Sequence, residues 1–203
     1  MSKTYCIETI RIQDGLIANL QGHNRRCNQT RHLLYGVTDT IDLANHLHDR
    51  PTSGLIRCRI TYDTTVQEVE YFPYQAKTFH HFKLIEGDAI EYGFKYANRT
   101  PLEALKAQAK GFDEIIILKN RLLTDTSIAN IAFYDGSHWI TPQTPLLAGT
   151  MREQLIRSHK LITKAIKSED LSGFSHFALM NAMIGFQVQK NPTIHSNKEI
   201  ICL

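Results

Sequence analysis

No apolar stretch of this 203-residue chain approaches the ~20 residues needed to span a bilayer, and the opening MSKTYCIETI has no signal-peptide core. No membrane partner is expected, and the cytoplasm is the default location. The four cysteines, Cys6, Cys27, Cys58 and Cys202, lack CxxC or zinc spacing. Neither a disulfide framework nor a metal centre is therefore expected, and the thiols read as reduced and mostly buried. Charge of one sign is also scarce. A net charge of +3 is too slight for a nucleic-acid partner, leaving the basic stretch 23–32 as the one local feature of that kind. His80 and His81 lie in strand-like text, where neighbours point to opposite faces and do not share one ion. What is present suits a packed globular protein: 42% of residues are hydrophobic and 21% charged, enough to build a core and too little charge for disorder.

Patterning along the chain predicts two α+β lobes, residues 1–86 and 87–203, with a cleft between them. In the first, residues 4–12 alternate as a strand, Asp14-Gly15 marks a hairpin and 16–20 forms the return strand. Helices over 23–35, stopped by Gly36, and over 40–48 come next, then β-branched strands over 55–62, 66–72 and 78–85. In the second, Thr100-Pro101-Leu102-Glu103 joins a capping hydroxyl, a first-turn proline and a glutamate three residues on, and Gly111 closes that helix. Short strands are expected over 114–118, 121–124, 130–134 and 138–141. The spacing of Leu155, Ile162 and Ile166 predicts an amphipathic helix over 151–166, with strands over 177–181 and 199–203 to follow.

Four features in this frame carry chemistry. Lys95, between Gly93-Phe94 and Tyr96-Ala97, has neighbours that would desolvate its amine and make it available near neutral pH; a surface lysine at a strand end is the alternative. Asp125, within Thr124-Asp125-Thr126-Ser127, is placed either to hold a ring nitrogen by a charge-assisted hydrogen bond or to bond its own backbone in a turn. The passage Leu147-Ala148-Gly149-Thr150-Met151-Arg152 leads a loop into a helix, where backbone N–H groups and the helix dipole suit a phosphate, although simple capping uses the same residues. Arg26 stands either to close such a phosphate cage from the other lobe or as one solvated cation among several.

The order of these features is more telling than any one of them. Glu8-Thr9-Ile10-Arg11 with Gly15, His23-Asn24-Arg25-Arg26, Lys95, Gly111-Phe112-Asp113-Glu114, Thr124-Asp125 through Asn130, Thr141-Pro142, and Leu147 through Arg152 together resemble the motif series of the class IV aminotransferases, the pyridoxal-phosphate enzymes of fold type IV. The resemblance runs along almost the whole chain. It implies an α+β, two-lobed, D-amino-acid-aminotransferase-like architecture with a shortened N-terminus, since a strand and a loop usually precede the first motif. It also implies pyridoxal 5'-phosphate as cofactor, a small-molecule substrate and a homodimer. By the same resemblance Lys95 is the catalytic residue, holding the cofactor and moving the substrate proton. Arg26 and the backbone amides of Thr150 and Met151 would bind the phosphate, with Asn181 and Ala182 at a second phosphate loop. Asp125 occupies the position of the usual glutamate and is one methylene shorter. Met151 stands where many transaminases have threonine, and Asn98 and Arg99 fall to the substrate or its surroundings.

Three passages resemble the family's 4-amino-4-deoxychorismate lyases more than its branched-chain or D-amino-acid transaminases: 95–99 (KYANR), 149–152 (GTMR) and 180–183 (MNAM). The transaminases usually carry a GNY-type sequence after the lysine. The expected activity is thus release of p-aminobenzoate and pyruvate for folate synthesis. Transamination is the alternative, and a cofactor-binding protein without turnover the third reading.

Overall fold

The computed structural model describes residues 4–196 and 199–203. They form two compact units: one runs to Ala76 and includes Phe94–Asn98, and the other comprises Lys77–Gly93 and Arg99–Leu203. The division thus falls before residues 81–86, which were expected in the first lobe. Those residues form a strand paired in parallel with residues 114–118 of the second unit, and sheet pairing assigns them there.

The first unit starts with β1 (Cys6–Gln13) and β2 (Leu16–Ile17), joined through Asp14-Gly15, where both residues have positive φ. The expected return strand, 16–20, stops after two residues; Asn19 takes a left-handed φ of 47° and helix α1 (Leu20–Tyr35) starts at the next residue. α1 ends at Gly36, whose φ of 70° lets its N–H reach back to the carbonyls of Arg31 and His32. Only a 3-10 turn, Leu43–His46, stands where a second helix was expected. Strands β3 (Leu55–Tyr62) and β4 (Val66–Pro73) complete a four-stranded sheet in the order β2-β1-β3-β4. Alternation along β1 and β3 turns Cys6, Ile10, Ile12, Cys58 and Ile60 into a core shared with Cys27 of α1 and with Leu43 and Leu47. Glu8 lies on that same buried face of β1 and is fully buried. Within the basic stretch of α1, Arg31 is 1% exposed and donates to the Thr64 carbonyl, to Asp39 and to Asn28, so this arginine is consumed in packing.

The second unit contains β5 (His81–Glu86), α2 (Thr100–Lys106), β6 (Glu114–Lys119), β7 (Leu122–Thr126), β8 (Asn130–Tyr134), β9 (Trp139–Pro142), α3 (Thr150–Arg157), β10 (Ile162–Lys164), β11 (His176–Asn181), β12 (Gly185–Val188), β13 (Thr193–His195) and β14 (Ile200–Cys202). Ten of these strands form one sheet, ordered β10-β9-β8-β7-β6-β5-β13-β14 with β11 also on β8 and β12 on β11. Helix α3 is half the length that apolar spacing predicts. His159 takes a left-handed φ of 56° and the Lys160 N–H closes onto Leu155 O, so the chain turns and Ile162 enters edge strand β10 beside β9. Cys6, Cys27 and Cys58 are buried free thiols and Cys202 an exposed one; burial pushes the Cys27 and Cys58 thiols up to about 12, which leaves them inert near neutrality. Among the described residues no helix is long and apolar enough to cross a membrane.

Candidate active site

In the first unit, Lys95 is fixed through its main chain. Its carbonyl accepts the Ile7 N–H at 2.8 Å, the Ala97 N–H reaches Tyr5 O at 2.8 Å, and Tyr96 bridges to Cys6. These bonds hold the 94–98 segment against β1, with Lys95 half-buried and Asn98 in the same segment. Arg26 projects from α1 into a buried ionic cluster. Its Nε donates to Glu8 Oε1 at 2.8 Å and its Nη2 to Glu8 Oε2 at 2.5 Å, while His23 Nδ1 meets Oε2 at 2.6 Å. Burial alone would raise the Glu8 carboxyl, but the Arg26 charge and the bonds from His23 and Arg26 outweigh it and hold the group at about 2.

The remaining sequence-derived residues lie in the second unit. Asp125, 4% exposed on β7, accepts from Asn130 Nδ2 at 2.7 Å through Oδ1 and from the Leu147 N–H at 2.8 Å through Oδ2. The same Asn130 amide donates to Leu147 O at 2.8 Å. Asn130 also closes against Gly149, where an added Cβ would lie 2.0 Å from Asn130 Oδ1. One acid and one amide thereby tie β7 to the loop that enters α3. Thr150 and Met151 are the first two residues of α3, positions whose N–H groups no helical carbonyl can reach. Behind the loop, buried Arg152 donates to Pro142 O at 2.7 Å. Asn181 ends β11 and accepts the Met183 and Ile184 N–H groups at 2.9 and 3.0 Å, shaping the turn that contains Ala182. Its Nδ2 donates to Ile128 O, and Arg99 Nη2 donates to the neighbouring Ser127 O. The 127–128 loop therefore joins Asn181 and Arg99 to the strand that carries Asp125.

The structure thus gathers Asp125, the 147–151 loop, Asn181 and Arg99 in one unit and Lys95, Arg26 and Asn98 in the other. Sequence reasoning assigned no role to Glu8, His23 or Asn130, although each is a fixed letter of the motif series; their unusual burial as polar residues became apparent only with the fold.

Burial raises Asp125 from 3.8 to about 6, against the opposing bonds from Asn130 and Leu147 and the Arg152 charge. The folded chain therefore binds this proton more tightly than the unfolded one, and stability from this group falls as pH rises from about 4 to about 6, by roughly 3 kcal/mol in all. Asp125→Asn removes that ionisation. The difference in melting temperature between the Asp125→Asn apoprotein and wild type should move in the variant's favour from pH 4 to pH 7; a difference independent of pH would refute the assignment.

Residues 5–190 match the family model described as amino-transferase class IV. A Haemophilus influenzae protein of uncharacterized function is 39% identical over 183 residues, 88% of this chain and 97% of that one. The crystal structure of a candidate 4-amino-4-deoxychorismate lyase from Haemophilus somnus 129pt is 36% identical, covers 91% of this chain and 99% of its own, and superposes with a TM-score of 0.84. A candidate amino-acid aminotransferase from Mesorhizobium loti, with a TM-score of 0.79 at 18% identity over 95% and 100% of the two chains, shares the fold. With its motif series, its two α+β units and this match along most of its length, the chain belongs to the class IV amino-transferase family of pyridoxal-phosphate-dependent enzymes.

Proposed function

We propose that this enzyme is a lyase that converts 4-amino-4-deoxychorismate into p-aminobenzoate and pyruvate, working in the cytoplasm as a homodimer in folate synthesis. The observation that carries the reading is the likeness to the Haemophilus somnus protein over 91% of this chain and 99% of that one. The passages 95–99, 149–152 and 180–183 point the same way.

Three structural features suit the cofactor. Lys95 offers a half-buried primary amine on a segment clamped to β1. Buried Asp125 accepts hydrogen bonds from Asn130 Nδ2 and the Leu147 N–H, and a carboxylate, with about four lone-pair sites, has acceptor capacity for a ring N–H as well. Gly149 leaves the start of α3 without a side chain, in a place where one would clash.

When bound, pyridoxal phosphate supplies an electron sink for charge released at the amine-bearing carbon. Lys95 holds it and removes the proton from that carbon. Asp125, ionised above about 6, keeps the ring nitrogen protonated. Arg26 and the N–H groups of Thr150 and Met151 would bind the phosphate, Asn181 and Ala182 would form its second loop, and Asn98 and Arg99 would belong to the substrate or its surroundings. Lys95, or a water it holds, returns a proton to the departing enolpyruvyl oxygen as the carbon–oxygen bond breaks and the ring becomes aromatic. Purified enzyme given aminodeoxychorismate should release pyruvate and p-aminobenzoate in equal amounts without a keto-acid acceptor. Amino transfer to a keto acid with no pyruvate formed would reassign the protein as a transaminase.

A further inference from the structure

The Glu8, His23 and Arg26 cluster is an expensive arrangement for a small sheet-and-helix unit. Glu8 is fully buried on the core face of β1 and His23 is equally enclosed, with its Nε2 lacking any protein partner. Apolar residues would fill this volume at lower cost in desolvation. What the cluster achieves is geometric. Glu8 takes the edge of the guanidinium formed by Nε and Nη2, a two-point grip that fixes the plane of the group. His23, three residues earlier on the same helix, donates from Nδ1 to the shared Oε2, since an ionised carboxylate only accepts. The planar geometry of arginine then turns Nη1 away from Glu8.

We infer that Glu8 and His23 are positioning residues: they lock Arg26 so that its remaining N–H donors meet a phosphate monoester, and they thereby set the enzyme's preference for the phosphorylated form of its cofactor. This rests on the proposed phosphate role of Arg26. Because Glu8 cancels most of the Arg26 charge, the grip contributes direction and not net attraction. The preference should therefore depend on the pair being intact and not merely on a cation at position 26.

The test uses two probes, pyridoxal 5'-phosphate and pyridoxal, which differ only in the phosphate. Their dissociation constants are measured by equilibrium dialysis on the full-length apoprotein of wild type, Glu8→Gln, His23→Phe and Arg26→Lys. In Glu8→Gln and Arg26→Lys the ratio of the pyridoxal constant to the pyridoxal 5'-phosphate constant should fall by about tenfold or more, with pyridoxal binding itself unchanged. His23→Phe should lower the ratio by a smaller factor, and it carries the test alone if Glu8→Gln does not fold. A ratio equal to wild type, or equal losses for both probes, overturns the inference and marks the cluster as structural while leaving the lyase reading intact. A wild type that binds both probes alike would instead remove the phosphate role of Arg26 on which the inference stands.

Discussion

Lys95→Ala is expected to lower kcat by ~10³-fold or more, since the group proposed both to hold the cofactor and to move the substrate proton is lost. Borohydride treatment of wild-type holoenzyme should fix a pyridoxyl group to the peptide containing Lys95, and the variant should take up none. Lys95→Arg should fare no better. A guanidinium keeps the charge and the reach, but it does not deprotonate at any pH an enzyme meets. The structure separates this loss from unfolding, because the bonds that hold the segment to β1 come from the Lys95 carbonyl and from the main chain at Ala97. Neither substitution touches them, so both variants should still fold, with a single cooperative melting transition of the apoprotein. Retention of wild-type turnover, or a borohydride adduct on another lysine, would remove Lys95 from its proposed place.

Part of this architecture was readable in advance, and the physical basis differs from element to element. The strands at 55–62 and 130–134 were placed residue for residue because runs of β-branched and aromatic residues bounded by turn residues state their own limits. The end of α1 at Gly36 was equally plain, since only a residue tolerant of positive φ closes a helix in that way. The 151–166 helix failed for the opposite reason. Leu155, Ile162 and Ile166 have helical spacing, yet Ile162 is 47% exposed and Ile166 belongs to the strand-built core, so the periodicity joined residues of α3, of β10 and of the loop that follows β10. Strands β12 and β13 were missed because runs of three or four residues carry too little pattern to be read. At the candidate site the sequence pointed to Lys95, Arg26 and Asp125 but did not reveal their partners. That Glu8 grips Arg26 through a strand and a helix, and that Asn130 joins Asp125 to Gly149, are facts of tertiary packing that no local window contains.

The second large effect is expected at Gly149, which has an ordinary extended conformation with φ −72° and ψ 141°. Glycine is required there for space, not for backbone freedom. A methyl group at this position would lie 2.0 Å from Asn130 Oδ1, well inside van der Waals contact, so one of the two must move. Asn130 cannot give way without loss, because it is 6% exposed and its amide nitrogen holds both Asp125 and the Leu147 carbonyl. Gly149→Ala should therefore cost roughly 2–4 kcal/mol, overpacking and a lost bond to a buried carboxylate acting together. It should also weaken cofactor binding by ~10²-fold, since the 147–151 loop and Asp125 are displaced at once. Asn130→Ala alone removes the amide from Asp125 and should be destabilising too. The double variant then decides the mechanism: with the obstructing amide gone, the alanine at 149 has room, and the combined loss in melting free energy should be smaller than the sum of the two single losses by about 1 kcal/mol or more. Strict additivity would mean that the two residues do not press on one another, and the coupling of the acid to the loop would have to be abandoned.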